Sequence, residues 1–157
     1  ELVIIVGMGG RDIVEANAWQ HRSGLCVGQD VSDRGLQYMG SPAQFNMGKS
    51  RRGFSPIGPW VTDMTNNPNR DNLHLGCTVN GEKRQDTQTN DMIFDVPDLI
   101  SFLSGSTTLL PGTVILTGTP HGVGFAQKPP VFLQPGDTVT VEIDRIGALT
   151  NPVVAEP

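Results

Sequence analysis

The chain has little cysteine, the residue that is typical of structural zinc sites and disulfide-rich proteins. It contains two cysteines in 157 residues, Cys26 and Cys77. Both lie in apolar, strand-like stretches without the paired spacing of a zinc site, so we expect two buried thiols rather than metal ligands. Such cysteine usage is typical of a reducing compartment, and we predict a cytoplasmic location.

Positive charge and long apolar runs are also scarce. Eleven lysines and arginines face sixteen acids, which gives a net charge of −5. The charges are interspersed, so no basic stripe predicts a nucleic-acid partner. The apolar run Leu2–Val6 is far too short to span a bilayer, and no signal-peptide pattern is present. We therefore expect neither a nucleic acid nor a membrane as a partner.

What the sequence does contain is strand-like alternation punctuated by glycine and proline. The length fits one domain with a substantial core. Asn80-Gly81 between alternating segments predicts a β-hairpin, and the Asn- and Pro-rich segment Thr65–Asp71 predicts an exposed loop. We expect an α+β, mainly β fold, with strands at 2–6, 25–28, 73–79, 113–117 and 138–143 and two helices at 12–20 and 97–103.

Two segments resemble nucleotide-binding motifs, and the positions of their glycines test both interpretations. Gly7-Met8-Gly9-Gly10 follows a strand, but the third glycine of a dinucleotide-binding fingerprint would fall at Asp12. Gly48-Lys49-Ser50 resembles the end of a phosphate-binding loop, but Ala43 stands where that loop needs its first glycine. Neither interpretation is supported.

Four motifs, one of them the Gly48-Lys49-Ser50 just described, have no local structural explanation. They are Asp30-x-x-x-Arg34-x-x-Gln37, Gly48-Lys49-Ser50, Gly58-Pro59-Trp60 and Thr117-Gly118-Thr119-Pro120-x-Gly122-Val123-Gly124. Spread over about ninety residues, they make sense only if folding assembles them into one site. In this order they resemble the catalytic C-terminal domain of the fumarylacetoacetate hydrolase family, including its dienedioate isomerase and acylpyruvase-like members. The resemblance runs from Glu1 to about Pro152.

The resemblance implies a fold of twisted, mixed β-sheets rolled around a metal site, and a homodimer. It assigns the whole chain, residues 1–157, to the catalytic domain, without the family's upstream lid and first metal-binding glutamate. Glu1 matches the second glutamate of the family's Glu-x-Glu and Asp30 its metal-binding aspartate. If strand 2–6 pairs beside strand 25–28, these two carboxylates come together, and hard oxygen ligands of this kind favour Mg²⁺, Mn²⁺ or Ca²⁺.

Other matched residues receive roles around the substrate. The ammonium of Lys49 would stabilise negative charge that grows on an enolate oxygen, and Gln37 would donate to a second substrate oxygen. Arg34 would orient Asp30 or bind a substrate carboxylate. Gly118 would let the backbone approach the ligand, and Thr119 corresponds to the family's substrate-contacting threonine.

These roles predict a metal-dependent hydrolase that cleaves a carbon–carbon bond in an acylpyruvate or related β-diketo acid, with a metal-bound enolate as the leaving group. Decarboxylation of oxaloacetate and isomerisation or hydration of a 2-hydroxy-dienedioate would use the same residues. An alternative of a different class is a non-catalytic relative or fragment. The family's general base belongs to the upstream lid, and His121 in the glycine turn is expected to be an ordinary loop residue.

Overall fold

The structure, a computed structural model, describes residues 1–155. Within them the chain forms two four-stranded sheets and three α-helices. In chain order the elements are β1 Leu2–Val6, α1 Glu15–Ala18, β2 Arg22–Gly28, α2 Arg34–Gln37, β3 Ile57–Thr62, β4 His74–Val79, β5 Glu82–Gln88, α3 Val96–Ser106, β6 Val114–Leu116, β7 Thr138–Ile143 and β8 Gly147–Pro152.

The first sheet has the strand order β3-β2-β1-β6 and carries the candidate site at one end. β1 is one of its two central strands, antiparallel to β2 with Leu2 opposite Val27 and antiparallel to β6 with Val3 opposite Leu116. All but one residue of β1 are buried. This agrees with its continuous apolar sequence, because a strand covered on both faces does not alternate.

The second sheet has the order β5-β4-β7-β8. Asn80 and Gly81 have φ values of 54° and 81°, the left-handed pair that a two-residue hairpin turn needs, and they join β4 to β5 as predicted. In β7 the buried residues Val139, Val141 and Ile143, which face the core, alternate with exposed or half-buried residues. The apolar face that this strand turns toward the core therefore agrees with the alternation in its sequence.

Helix α3 is positioned by a capping box. Asp95 accepts from the Asp98 N–H and Asp98 from the Asp95 N–H, at 2.9 and 3.0 Å. These bonds satisfy free donors at the start of the helix, where Pro97 is tolerated. Ile100 faces the core, and the buried hydroxyl of Ser104 accepts from the Ile13 N–H at 2.9 Å. Helix α3 thus closes one side of the core and holds the segment before α1.

The core lies between the sheets and under α3. Its largest fully buried apolar side chains are Leu2, Ile4, Leu25, Leu73, Ile100, Ile143, Ile146, Val3, Val6, Val27 and Val141. Cys26 and Cys77 are free and buried, which confirms the prediction of buried thiols. No helix in residues 1–155 is long and apolar enough to cross a membrane.

The α+β, mainly β fold class is confirmed, with differences in detail. The paired strands of residues 1–155 are all antiparallel, whereas mixed sheets were expected. In the second sheet the reason is connectivity, since tight turns join β4 to β5 and β7 to β8 and such turns reverse the chain. The helix expected at 12–20 is a single turn, α1, followed by a 3₁₀ turn at Trp19–His21.

Strands β3 and β8 and helix α2 were not predicted. Gly58 and Pro59 interrupt β3, and proline is found mainly on edge strands, which is where β3 lies. Helix α2 is only four residues long and has Gly35 at its second position. Neither β3 nor α2 has the apolar periodicity on which a sequence prediction depends.

Candidate functional site

The ends of three neighbouring strands meet at one end of the first sheet. Glu1 directly precedes β1, and its carbonyl oxygen accepts from the Gly28 N–H at the end of β2, at 2.9 Å. Thr117 follows β6 and donates its N–H to the Leu2 carbonyl at 3.2 Å. Asp30 lies two residues beyond β2. The antiparallel register therefore assembles residues that are nearly 120 positions apart, as the Glu1–Gly118 contact at a separation of 117 shows.

Glu1 is a buried acid, with 7% of its surface exposed. One carboxylate oxygen, Oε2, accepts from the Gly118 N–H at 3.1 Å. Burial raises the pKa of the Glu1 carboxyl, and the nearby negative charge of Asp30 raises it further. Two acids that repel each other in a partly buried place are an arrangement that a bound cation neutralises.

Asp30 and Lys49 form an ion pair through Oδ2 and Nζ. The Asp30 side chain is 11% exposed and that of Lys49 is 41% exposed. Lys49 reaches this place from a 3₁₀ turn at Met47–Lys49, which the Gly48 carbonyl ties down by accepting from the Asp33 N–H at 2.8 Å. The prediction that the aspartate and the lysine motifs meet in space therefore agrees with the geometry.

Gln37 and Arg34 have internal partners. Gln37 is fully buried, its Oε1 accepts from Arg34 Nη1 at 2.8 Å, and its Nε2 donates to the Phe45 carbonyl at 3.4 Å. A Cβ on Gly48 would lie 2.4 Å from Gln37 Cγ, so the glycine of Gly48-Lys49-Ser50 is required by packing. Arg34 contacts Gln37 rather than orienting Asp30. Substrate contacts by Gln37 and Arg34 remain predictions.

An aromatic cluster lies beside Arg34, made of Tyr38, Phe45, Phe125 and Phe132. The Arg34 guanidinium carbon is 5.2 Å from the Phe125 ring centre, a cation–π contact. Tyr38 stacks on Phe125 at 5.8 Å. These rings connect α2 to the segment after the glycine turn, although all four are about half exposed.

The glycine turn, Thr117–Gly124, packs against β5. Gly118 and Gly122 have φ values of 99° and 100°, which L-residues rarely adopt. A Cβ on Gly122 would lie 2.0 Å from the Arg84 carbonyl oxygen, and one on Gly124 2.0 Å from the Val131 carbonyl oxygen. Gly122 and Gly124 thus allow close contact with the protein's own backbone, whereas nothing lies within 4 Å of a Cβ added at Gly118, whose approach to a ligand stays a prediction.

Gln85 was missed as a site residue. From β5 its amide donates to Thr119 Oγ at 2.9 Å, to the Pro120 carbonyl at 3.1 Å and to the His121 carbonyl at 3.3 Å. Gln85 lies outside the four motifs, in the strand that follows the Asn80-Gly81 turn, so the motif order did not identify it. His121 itself is exposed. Hydrogen bonds from the Thr87 hydroxyl and the Gln88 N–H lower the pKa of Asp91, and His121 makes only a smaller contribution in the same direction.

The donor set fits a divalent cation in part. Glu1 and Asp30 supply two hard carboxylates at one place, the ligand type that Mg²⁺ and Mn²⁺ prefer. In residues 1–155 no group of three or more histidine, cysteine, aspartate or glutamate side chains is arranged to hold a metal. The third carboxylate that the family resemblance implies is the first glutamate of Glu-x-Glu, two positions before Glu1.

The fold and site describe a β-rich domain with acids, a lysine and a glycine turn assembled at the strand ends. Residues 1–154 match the sequence profile described as Fumarylacetoacetate (FAA) hydrolase C-terminal. The chain therefore belongs to the fumarylacetoacetate hydrolase family, as predicted. The family uses divalent metals such as Mg²⁺ or Mn²⁺, which confirms the expected cofactor class.

Three relatives indicate what the chain is similar to. It is 44% identical to the mitochondrial oxaloacetate tautomerase fahd2 of Xenopus laevis, over 98% of this chain and 48% of that protein. It is 40% identical to the 2-hydroxyhepta-2,4-diene-1,7-dioate isomerase of Mycobacterium marinum, with a TM-score of 0.85 over 98% of this chain and 56% of that one. The fumarylpyruvate hydrolase of Pseudomonas aeruginosa, solved with Mn²⁺ and pyruvate, is 32% identical, with a TM-score of 0.88 over 99% and 64%.

The chain spans about half the length of the curated relatives that it matches. The name of the Xenopus relative places that protein in mitochondria, so a cytoplasmic location for this chain stays a prediction. The expected homodimer stays a prediction as well.

Proposed function

We propose that the protein is a divalent-metal-dependent enzyme that acts on small 2-oxo acids, with proton transfer next to the 2-oxo group as its central step. The observation that carries the proposal is the convergence of Glu1, Asp30 and Lys49 at the end of the first sheet, with the glycine turn bonded to Glu1. Carboxylates that hold a cation and a lysine beside them suit a substrate whose oxygens gain negative charge during the reaction.

Glu1 and Asp30 are the residues that would hold the metal. A bound Mg²⁺ or Mn²⁺ supplies Lewis-acid polarisation of the carboxylate and keto oxygens of a 2-oxo acid. The Gly118 N–H fixes the orientation of Glu1, because it occupies one carboxylate oxygen and leaves the other available. This backbone role is the one that the geometry favours for Gly118.

Lys49 and Thr119 act on the substrate itself. The Lys49 ammonium already lies against Asp30, so it would sit next to the substrate's keto oxygen and favour the negative charge that develops there. Thr119 is exposed on the glycine turn and would donate its hydroxyl to the carboxylate end. Binding and charge stabilisation at the 2-oxo end are thereby assigned to residues of this chain.

Keto–enol interconversion of a 2-oxo acid such as oxaloacetate is the first candidate reaction. It needs only proton transfer between carbon and oxygen, and it is supported by the 44% identity to the Xenopus oxaloacetate tautomerase.

Hydrolysis of an acylpyruvate is the second candidate. In this reaction the hydroxyl of water adds to the far carbonyl, the carbon–carbon bond breaks, and the departing carbon takes a proton to give pyruvate and a carboxylic acid. The similarity to the fumarylpyruvate hydrolase that was solved with Mn²⁺ and pyruvate supports it.

A panel of oxo acids separates these candidates. The full-length protein with Mg²⁺ or Mn²⁺ is incubated with oxaloacetate, acylpyruvates and 2-hydroxy-dienedioates, while enol absorbance and released pyruvate are followed. We expect enol loss without pyruvate for a tautomerase, and pyruvate with a second acid for a hydrolase. EDTA should abolish either activity, as should Asp30→Ala but not the exposed control Asp71→Ala.

Activity that survives EDTA would refute the proposed function. No turnover of any compound, with intact folding, would support a non-catalytic relative instead. Light scattering on the same sample tests the predicted homodimer.

A further inference from the structure

The side chain of Gln85 crosses from the second sheet to the glycine turn. Gln85 is a buried polar residue, 9% exposed, on a strand whose neighbours are mostly exposed. Its amide nitrogen lies within hydrogen-bond distance of the hydroxyl of Thr119 and of two successive carbonyls, those of Pro120 and His121, so its two N–H donors are shared among three acceptors. One side chain thereby fixes three consecutive residues of the turn to which the substrate-binding role is assigned.

The two carbonyls determine which way the Gln85 amide is oriented. A carbonyl oxygen only accepts hydrogen bonds, so the group that faces Pro120 and His121 must be the NH₂ end of the amide and not its oxygen. The NH₂ group has donors and no acceptor in this place. Thr119 Oγ, 2.9 Å from the same nitrogen, must therefore accept from Gln85.

A hydroxyl that accepts one hydrogen bond still has one proton to donate. Because Gln85 occupies a lone pair of Thr119 Oγ, the Thr119 proton is directed away from β5. Thr119 is exposed, so the proton points to the open side of the turn, where a carboxylate oxygen of a substrate would accept it.

We propose that Gln85 is a positioning residue that fixes the hydroxyl of Thr119 as a hydrogen-bond donor toward the carboxylate of a 2-oxo acid. This inference rests on the proposed function and assigns how the substrate's acid end is recognised. Gln85 acts through Thr119 and the turn, without touching the substrate.

The test replaces the hydrogen-bond donor that faces Thr119 by an acceptor. Gln85→Glu keeps the shape of the side chain, but its carboxylate accepts from Thr119 and turns the hydroxyl proton away from the ligand. Gln85→Met removes the donors without providing a strong acceptor. The probe is oxalate, a pyruvate-enolate mimic, titrated calorimetrically into the full-length protein in the presence of Mn²⁺.

We expect Gln85→Glu to raise the oxalate Kd by about 10- to 100-fold, the effect of losing a hydrogen bond to a charged group. Gln85→Met should raise it clearly less, although both variants lower the unfolding midpoint. In a Thr119→Val background, Gln85→Glu should have almost no additional effect on Kd. The exposed control Gln20→Glu should bind as the wild type does.

Two results would overturn the inference while leaving the proposed function intact. One is an equal loss of oxalate affinity in Gln85→Met and Gln85→Glu, which would reduce Gln85 to a structural support. The other is a full effect of Gln85→Glu in the Thr119→Val background, which would show direct repulsion between the new charge and oxalate. A wild type that binds no oxalate with Mn²⁺ would overturn the proposed function and this inference with it.

Discussion

Replacing Gly122 by alanine tests how tightly the glycine turn is held on β5. Two penalties apply. The φ of 100° forces an alanine into a strained conformation, at a cost of about 1–3 kcal/mol. The new Cβ would also lie 2.0 Å from the Arg84 carbonyl oxygen, a backbone atom that cannot rotate away, and overpacking of this kind costs about 1–3 kcal/mol more. We expect a total loss of about 2–6 kcal/mol, a large part of a typical stability.

Gly136 supplies a matched control for this experiment. Its φ is 98°, almost the same as that of Gly122, but nothing lies within 4 Å of an added Cβ. Gly136→Ala should therefore lose only the conformational part, and the difference between the two variants isolates the contact with β5. Urea unfolding followed by circular dichroism measures both losses. If Gly122→Ala costs no more than Gly136→Ala, the close packing of the turn on β5 is wrong.

Three further predictions address charge, burial and pH. Lys49→Met should lower kcat/KM by about 100-fold or more while the fold persists, because it removes the cation next to Asp30. The control Lys83→Met should leave kcat/KM unchanged. If the two variants have the same kcat/KM, Lys49 does not belong to the site. Thr89→Val should cost about 1–3 kcal/mol in urea unfolding, since it leaves the Leu73 N–H without its 2.9 Å partner, and a neutral result would contradict that bond. Hydrogen bonds from Lys83 and His74 lower the pKa of Asp86 to about 2. The stability that the Asp86 carboxylate contributes is therefore complete above its ordinary pKa near 4 and is lost as the pH falls toward 2. The difference in free energy of unfolding between the wild type and Asp86→Asn, measured by urea unfolding, should shrink over that pH range, and a constant difference would contradict the ion pair.

Local sequence signals account for much of the fold. The hairpin at Asn80-Gly81 and the strand Thr138–Ile143 agree with the structure because a left-handed turn and a two-residue alternation are local properties. Gly112 and Gly136 have positive φ values in the turns that precede β6 and β7, as glycines in such turns often do. Strand β3 was not predictable in this way, since its position depends on pairing with β2 rather than on its own pattern.

The sequence motifs proposed a set of residues for the site but could not predict the contacts among them. The motif order brought Glu1, Asp30 and Lys49 into one hypothesis, and the register of β1 with β2 supports it. Sequence reasoning did not find the bond from Gln85 to Thr119, because 34 positions separate them and no spacing rule links a strand of one sheet to a turn beyond a strand of the other. It also could not show that both ends of the Gln37 amide are used within the protein.

The central claim is that Glu1 and Asp30 form a divalent-metal site for a 2-oxo acid. Calorimetric titration of Mn²⁺ with oxalate into the full-length protein tests it directly, with Asp30→Ala and the exposed control Asp71→Ala beside the wild type. The account predicts that oxalate and Mn²⁺ bind together to the wild type and to Asp71→Ala but not to Asp30→Ala. Equal binding to all three proteins, or no binding to the wild type, would contradict it.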